Sequence, residues 1–231
     1  MIVSKESLSD LPPTVQRWLD YSGIVGKPAV KKVYLKQEAL MRLQPDQEKW
    51  FKANAQQTFT TEPPSFNWKV SLKINPLIFV TGKDSYEEGK GAMKMKLFSL
   101  FPLVNESNNP KINQATLQRF LAEIVWFPSA ALNPYIKWQP VDALSAKAVM
   151  TYKGTVGSGI FYFDKNGGFQ KFTAMRYKNL KENSTPLEWT VKAIKTALKN
   201  NLLIPVELEV AWKLEEQEWT WLKLKIVSIQ Y

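Results

Sequence analysis

The chain has 231 residues, of which 45% are hydrophobic, 13% aromatic and 23% charged, a globular composition long enough to bury a large core. It contains no cysteine and no histidine, which excludes disulfides, thiolate nucleophiles, cysteine or histidine metal centres and every serine–histidine dyad. The formal net charge is +10, carried by 31 basic residues of which only Arg17, Arg42, Arg119 and Arg176 are arginine; so lysine-heavy a surface suits an anionic membrane face better than bidentate base reading, and no nucleic acid is expected as partner.

The first segment, Met1–Glu6, lacks the apolar stretch and small-residue site of a secretory leader, so with Met1 as the natural start the expected compartment is the cytoplasm, with membrane association through the lysines. Residues 8–22 read as a helix, with Ser9 and Asp10 as caps, Pro12 and Pro13 in the first turn, and Val15, Trp18 and Leu19 on one face. Residues 30–98 change to period two. Val33, Leu35, Ala39 and Met41 alternate with charged residues, and Gln37 is the one polar break in that apolar row. Phe66, Trp68, Val70 and Leu72 alternate cleanly, as do Met93, Met95 and Leu97 against Lys94 and Lys96. Such repeated alternation predicts antiparallel strands with one dry face.

Asn105–Pro110 reads as a polar loop, followed by a central helix over 113–127 capped by Asn113. Its apolar stripe is Leu117, Phe120, Leu121, Ile124 and Val125, with Gln118, Arg119, Ala122 and Glu123 on the opposite side. Strands return over 145–231: Gly157–Gly159 is expected to turn, Asn166-Gly167-Gly168 to close a hairpin, and 187–198 to pair with the arm that follows Asn200-Asn201. About ten strands result, in a single domain spanning 1–231.

The run Arg119–Pro128 (RFLAEIVWFP) resembles the central helix motif of a bacterial family known only as a domain of unknown function. Leu11–Leu19, Phe59–Trp68, Asp84–Gly91, Arg176-Tyr177 and Val227–Tyr231 carry further likeness across nearly the whole chain. The layout is also similar, more distantly, to the lipoprotein-carrier fold of LolA and LppX type, where a curved antiparallel sheet wraps inserted helices and the space between holds acyl chains. The resemblance implies a mainly β, α+β fold: a half-barrel of antiparallel sheet around a central helix, preceded by an N-terminal helix.

No phosphate-binding loop, nucleophile elbow or metal-binding helix motif occurs, so catalysis and cofactors are not expected. The aromatic excess points instead to non-catalytic binding of an apolar or amphipathic, lipid-like molecule between sheet and helix. The candidate wall is Trp68, Met93, Met95, Phe120, Ile124, Trp126, Phe127, Met150 and Trp212. The alternative is a structural or protein-interaction module with a filled core. A carboxylate enzyme built on Asp84, Glu87 or Glu123 requires two of them to converge in one cleft; the turn composition around Gly89 predicts instead that Asp84, Glu87 and Glu88 are solvated.

Overall fold

The computed structural model describes residues 1–107, 109–215 and 217–231. After a short 3-10 turn (Glu6–Leu8) comes helix α1 (Pro13–Tyr21). The first run of strands is β1 (Lys32–Met41), β2 (Phe51–Thr61), β3 (Pro64–Lys73), β4 (Phe79–Glu87), β5 (Lys90–Leu97) and β6 (Phe101–Ser107). Helix α2 (Pro110–Glu123) follows and runs into 3-10 turns at Ile124–Trp126 and Pro128–Leu132. The second run is β7 (Ile136–Asp142), β8 (Ser145–Tyr152), β9 (Thr155–Phe163), β10 (Phe169–Arg176), β11 (Leu187–Lys199), β12 (Leu202–Lys213) and β13 (Glu218–Gln230). All pair antiparallel in one sheet, ordered β6-β5-β4-β3-β2-β1-β13-β12-β11-β10-β9-β8-β7.

The sheet curls because both of its halves reach the same helix. β5 and β9 stand nine places apart in the strand order, yet α2 touches both. A flat sheet would separate them by roughly 43 Å at about 4.8 Å per strand, whereas a helix is only about 10–12 Å across. On one side the Asn113 side chain accepts from the Gly91 N–H of β5 at 2.8 Å. On the other, Gln114 and Gln118 donate to the Val156 and Ser158 carbonyls of β9 at 2.9 and 3.1 Å. The β4–β5 and β8–β9 turns meet directly, with Thr155 Oγ1 donating to the Gly89 carbonyl at 3.1 Å. Two glycines permit this seating. A Cβ on Gly91 would lie 2.6 Å from the Ile112 carbonyl oxygen, and one on Gly157 would lie 2.7 Å from Leu117 Cδ2.

Several sequence expectations need correction. Among the described residues thirteen strands replace about ten, because β6 and β7 carry little apolar alternation and most of their residues are exposed. β6 takes over residues expected to form the Asn105–Pro110 loop; Asn108 lies outside the described residues. Helix α2 begins earlier than expected: Asn109 accepts from the Lys111 N–H, Pro110 takes the first turn, and Asn113 is spent on β5. Ser9 and Asp10 do not cap α1, which starts behind Pro12 without a side-chain cap. Gly157 and Gly159 lie inside β9, and the turn falls at Lys153-Gly154, both at positive φ. The hairpin at Asn200-Asn201 forms as read, with both residues at positive φ and Lys199 opposite Leu202.

Both flanks of α2 are buried. Leu117, Phe120, Leu121 and Ile124 are fully buried, and Phe120 meets Phe59, Tyr86 and Phe127 at ring-centroid distances of 6.2, 6.3 and 5.8 Å. A second aromatic group ties α1 to the far half of the sheet: Trp18 stacks on Phe161 and Phe163 at 5.8 and 5.6 Å. The side carrying Gln118 and Ala122, opposite the apolar stripe, is also covered. One flank of α2 fills a solid aromatic core. The other borders empty space.

Candidate ligand cavity

That space is a cavity of about 510 Å³ between α2 and the inner face of the sheet. α2 presents Ile112, Ala115, Arg119, Ala122 and Glu123 to it, at helical spacing. The sheet supplies inward residues of β1, β3, β4 and β5 on one side and of β11, β12 and β13 on the other. Of the nine wall residues chosen from sequence, Trp68, Met93, Met95, Trp126 and Trp212 line it. Phe120, Ile124, Phe127 and Met150 do not; each is fully buried in the solid interior. The Phe120 and Ile124 stripe, expected to face the ligand, packs on the sheet and leaves the more polar flank to the cavity.

A polar chain crosses this flank. Asp84, buried on β4, accepts from Arg119 Nη1 at 2.5 Å, and Arg119 Nε donates to Glu123 at 3.0 Å. The other Glu123 oxygen accepts from Gln57 at 2.8 Å. Gln37 donates to Gln57 at 3.2 Å and accepts from the Trp68 indole at 3.0 Å. The Arg119 guanidinium also lies over Phe66 and Trp68, at 5.0 and 4.7 Å from their centroids. The polar break at Gln37 is thus one link in a strut joining β1, β2, β3 and β4 to α2. Burial holds the Glu123 carboxyl above its ordinary range although Arg119 and Gln57 pull it down. Burial opposes the Arg119 charge as well, and the two carboxylates outweigh it.

Asp84 is therefore not part of a solvated turn. Glu87 and Glu88 are exposed, and Glu88 pairs with Lys153 at 3.1 Å. Asp84 and Glu123 do converge, but on Arg119, which takes an oxygen from each.

Arg176 is a further residue of this cavity, one that arginine's scarcity in so lysine-rich a chain marks. It closes β10 with 9% of its surface exposed. Its Nε donates to the Ala115 carbonyl of α2 at 3.0 Å, and its guanidinium lies 4.7 Å from the Trp189 ring and 5.6 Å from Trp212. Burial lowers its pKa to about 10, so it stays charged at neutral pH. Trp189, Trp212 and Trp219 stand opposite one another on β11, β12 and β13.

The outer face differs. Lys69, Lys83 and Lys94 lie directly opposite one another on β3, β4 and β5, and with Lys36 and Lys96 they border an open concavity of about 720 Å³. At one end of these strands two hairpin tips expose apolar side chains, Leu77 on one and Leu100 on the other at 85% and 73% exposure. The Phe98 N–H donates to the Phe79 carbonyl at 3.1 Å, holding the tips together. Among the described residues no helix is long and apolar enough to cross a membrane.

Residues 9–231 match the model of a family of unknown function, DUF6920. The chain belongs to that family. No curated protein matches this DUF6920 member. Among solved structures it is similar to a DUF1329 family protein from Desulfovibrio piger, with 8% identity, a TM-score of 0.48 and coverage of 96% of this chain and 93% of that one. It is also similar to a LolA superfamily protein from Nitrosomonas europaea, with 9% identity, a TM-score of 0.43 and coverage of 95% and 94%.

Proposed function

We propose that the protein is a non-catalytic binder of an apolar or amphipathic, lipid-like molecule, held between α2 and the sheet. The observation that carries this reading is the cavity of about 510 Å³, a size within the range of small-molecule sites, with methionine, valine, leucine and tryptophan on its walls. Burying apolar ligand surface there contributes about 25 cal/mol per Å². Methionine side chains such as Met93 and Met95 adapt to tails of different shape. A filled-core interaction module would have no use for this void. A carboxylate enzyme would need an acid and a base free to act, whereas Asp84 and Glu123 are both committed to Arg119.

The test is native mass spectrometry of protein purified gently from its own host, followed by titration of the delipidated protein with oleyl alcohol. A co-purified lipid mass and saturable binding, lost on filling the cavity with Met95→Trp, are the expected results. A clean apo mass together with no binding by the delipidated chain would overturn the reading.

The lysine face and the paired tips support a second element of this function, contact with an anionic membrane from which the ligand is exchanged. Leu77 and Leu100 would enter the interface while neighbouring lysines meet the headgroups, each basic residue contributing about 1 kcal/mol near such a surface. Co-sedimentation should favour phosphatidylglycerol over phosphatidylcholine vesicles, and Leu77→Asp with Leu100→Asp should release the protein. Equal recovery with both vesicle types removes this element without touching the cavity.

A further inference from the structure

One end of the cavity is lined by hydrogen-bond donors that lack acceptors. Arg176 spends Nε on Ala115, and its two terminal nitrogens make no hydrogen bond or ion pair among the described residues. The carboxylates whose charge it feels, Asp84 and Glu123, are each bonded by Arg119 through one oxygen, and Asp84 Oδ1 is buried without a partner. On the same wall the indole nitrogens of Trp189, Trp219 and Trp221 are buried without a partner. Native proteins pair roughly 90% or more of their buried polar groups, and a donor left unpaired costs about 1–3 kcal/mol. The indole nitrogens are closed off from the void, whereas the two free guanidinium nitrogens beside them are not, and these call for acceptors. The guanidinium's place over Trp189 and near Trp212, with Nε on Ala115, helps hold the fork before any ligand arrives.

We infer that the cavity selects an acyl-chain amphiphile with an anionic head group, a carboxylate or a phosphate, whose oxygens accept from the terminal nitrogens of Arg176 while the tail lies along Met93 and Met95. This inference rests on the reading of the cavity as a lipid-like site and adds the head-group chemistry to it. Carboxylate and phosphate share the acceptor pattern that the donors require, and a bidentate guanidinium contact fits either.

The experiment titrates the delipidated full chain with three probes that share one tail: oleate, oleoyl lysophosphatidic acid and uncharged oleyl alcohol. Calorimetry supplies the affinities. At least one anionic probe should bind tenfold or more tightly than the alcohol, and the tighter of the two assigns carboxylate or phosphate. In Arg176→Met the ratio of anionic to neutral affinity should fall toward one. Thermal melts establish that the variants fold. If Arg176→Met does not, Arg176→Lys keeps the charge without the planar fork and must still lower the ratio. Equal wild-type affinity for all three probes overturns the head-group assignment and leaves the apolar binder standing. Failure of all three to bind overturns both.

Discussion

Glu123 sits on α2 with one oxygen on Arg119 and the other on Gln57, and burial still raises its pKa above 4.5. A carboxyl whose folded pKa exceeds its unfolded value binds protons more tightly when folded. Its stabilising contribution is complete below about pH 4.5 and is lost as pH rises through the folded value. Glu123→Gln removes that slope, so the variant should gain stability relative to wild type as pH rises above about 4.5. Urea denaturation at several pH values measures this, and a difference that stays constant with pH would count against it. Arg119→Met should be far costlier, about 3–5 kcal/mol, because it strands two buried carboxylates. At this scale the sequence was partly legible. Gln37 showed itself as a polar break in an apolar row. Gln57 breaks the row Phe51, Ala53, Ala55 and Phe59 in the same way, but its role depends on two partners distant in sequence, Gln37 on β1 and Glu123 on α2. Arg176 was hidden for the same reason: its meaning lies in Ala115 and Trp189, remote in sequence.

Between elements, the seating of α2 depends on strand glycines. At Gly157 an added Cβ meets side-chain atoms, Leu117 Cδ2 and Gln118 Cγ, which shift more easily than backbone. At Gly91 it meets the Ile112 carbonyl, which cannot move without shifting the helix. Gly91→Ala should therefore cost about 1–3 kcal/mol as an overpacking change, and Gly157→Ala less. For a chain of this size about 2–4 °C of melting temperature accompanies each kcal/mol, so thermal melts can rank the two. Equal losses would mean that the helix does not rest on the Gly91 backbone. Strands with one dry face were readable because burial alternates along them, as in β1, whose inward residues are all buried. β6 was unreadable because it lies at the sheet edge with mostly exposed side chains, and only pairing to β5 makes it a strand. Glycines inside β9 looked like a turn because close helix approach, not chain reversal, required them.

Across the whole molecule, the curled sheet is too large for one helix to fill, and α2 divides its interior into a packed half and a hollow half. Period-two patterning predicts an inner face, but curvature comes from which remote strands share the helix, so local patterning could not place the boundary between the halves. The division makes a direct energetic prediction. Phe120 is fully buried against Phe59, Tyr86 and Phe127, so Phe120→Ala removes packed atoms and leaves a new void, costing about 3–5 kcal/mol. Met95 is partly buried and already borders open space, so Met95→Ala forfeits contacts on one side only. Its loss should be less than half that of Phe120→Ala in urea denaturation of delipidated protein. Binding should respond in the opposite order. Met95→Ala removes surface that a ligand tail would touch and should weaken oleyl alcohol severalfold, whereas folded Phe120→Ala should bind nearly as wild type. Similar stability losses at the two sites would mean that the void closes around Met95 in solution. A larger binding defect in Phe120→Ala would place the ligand on the aromatic side of the helix instead.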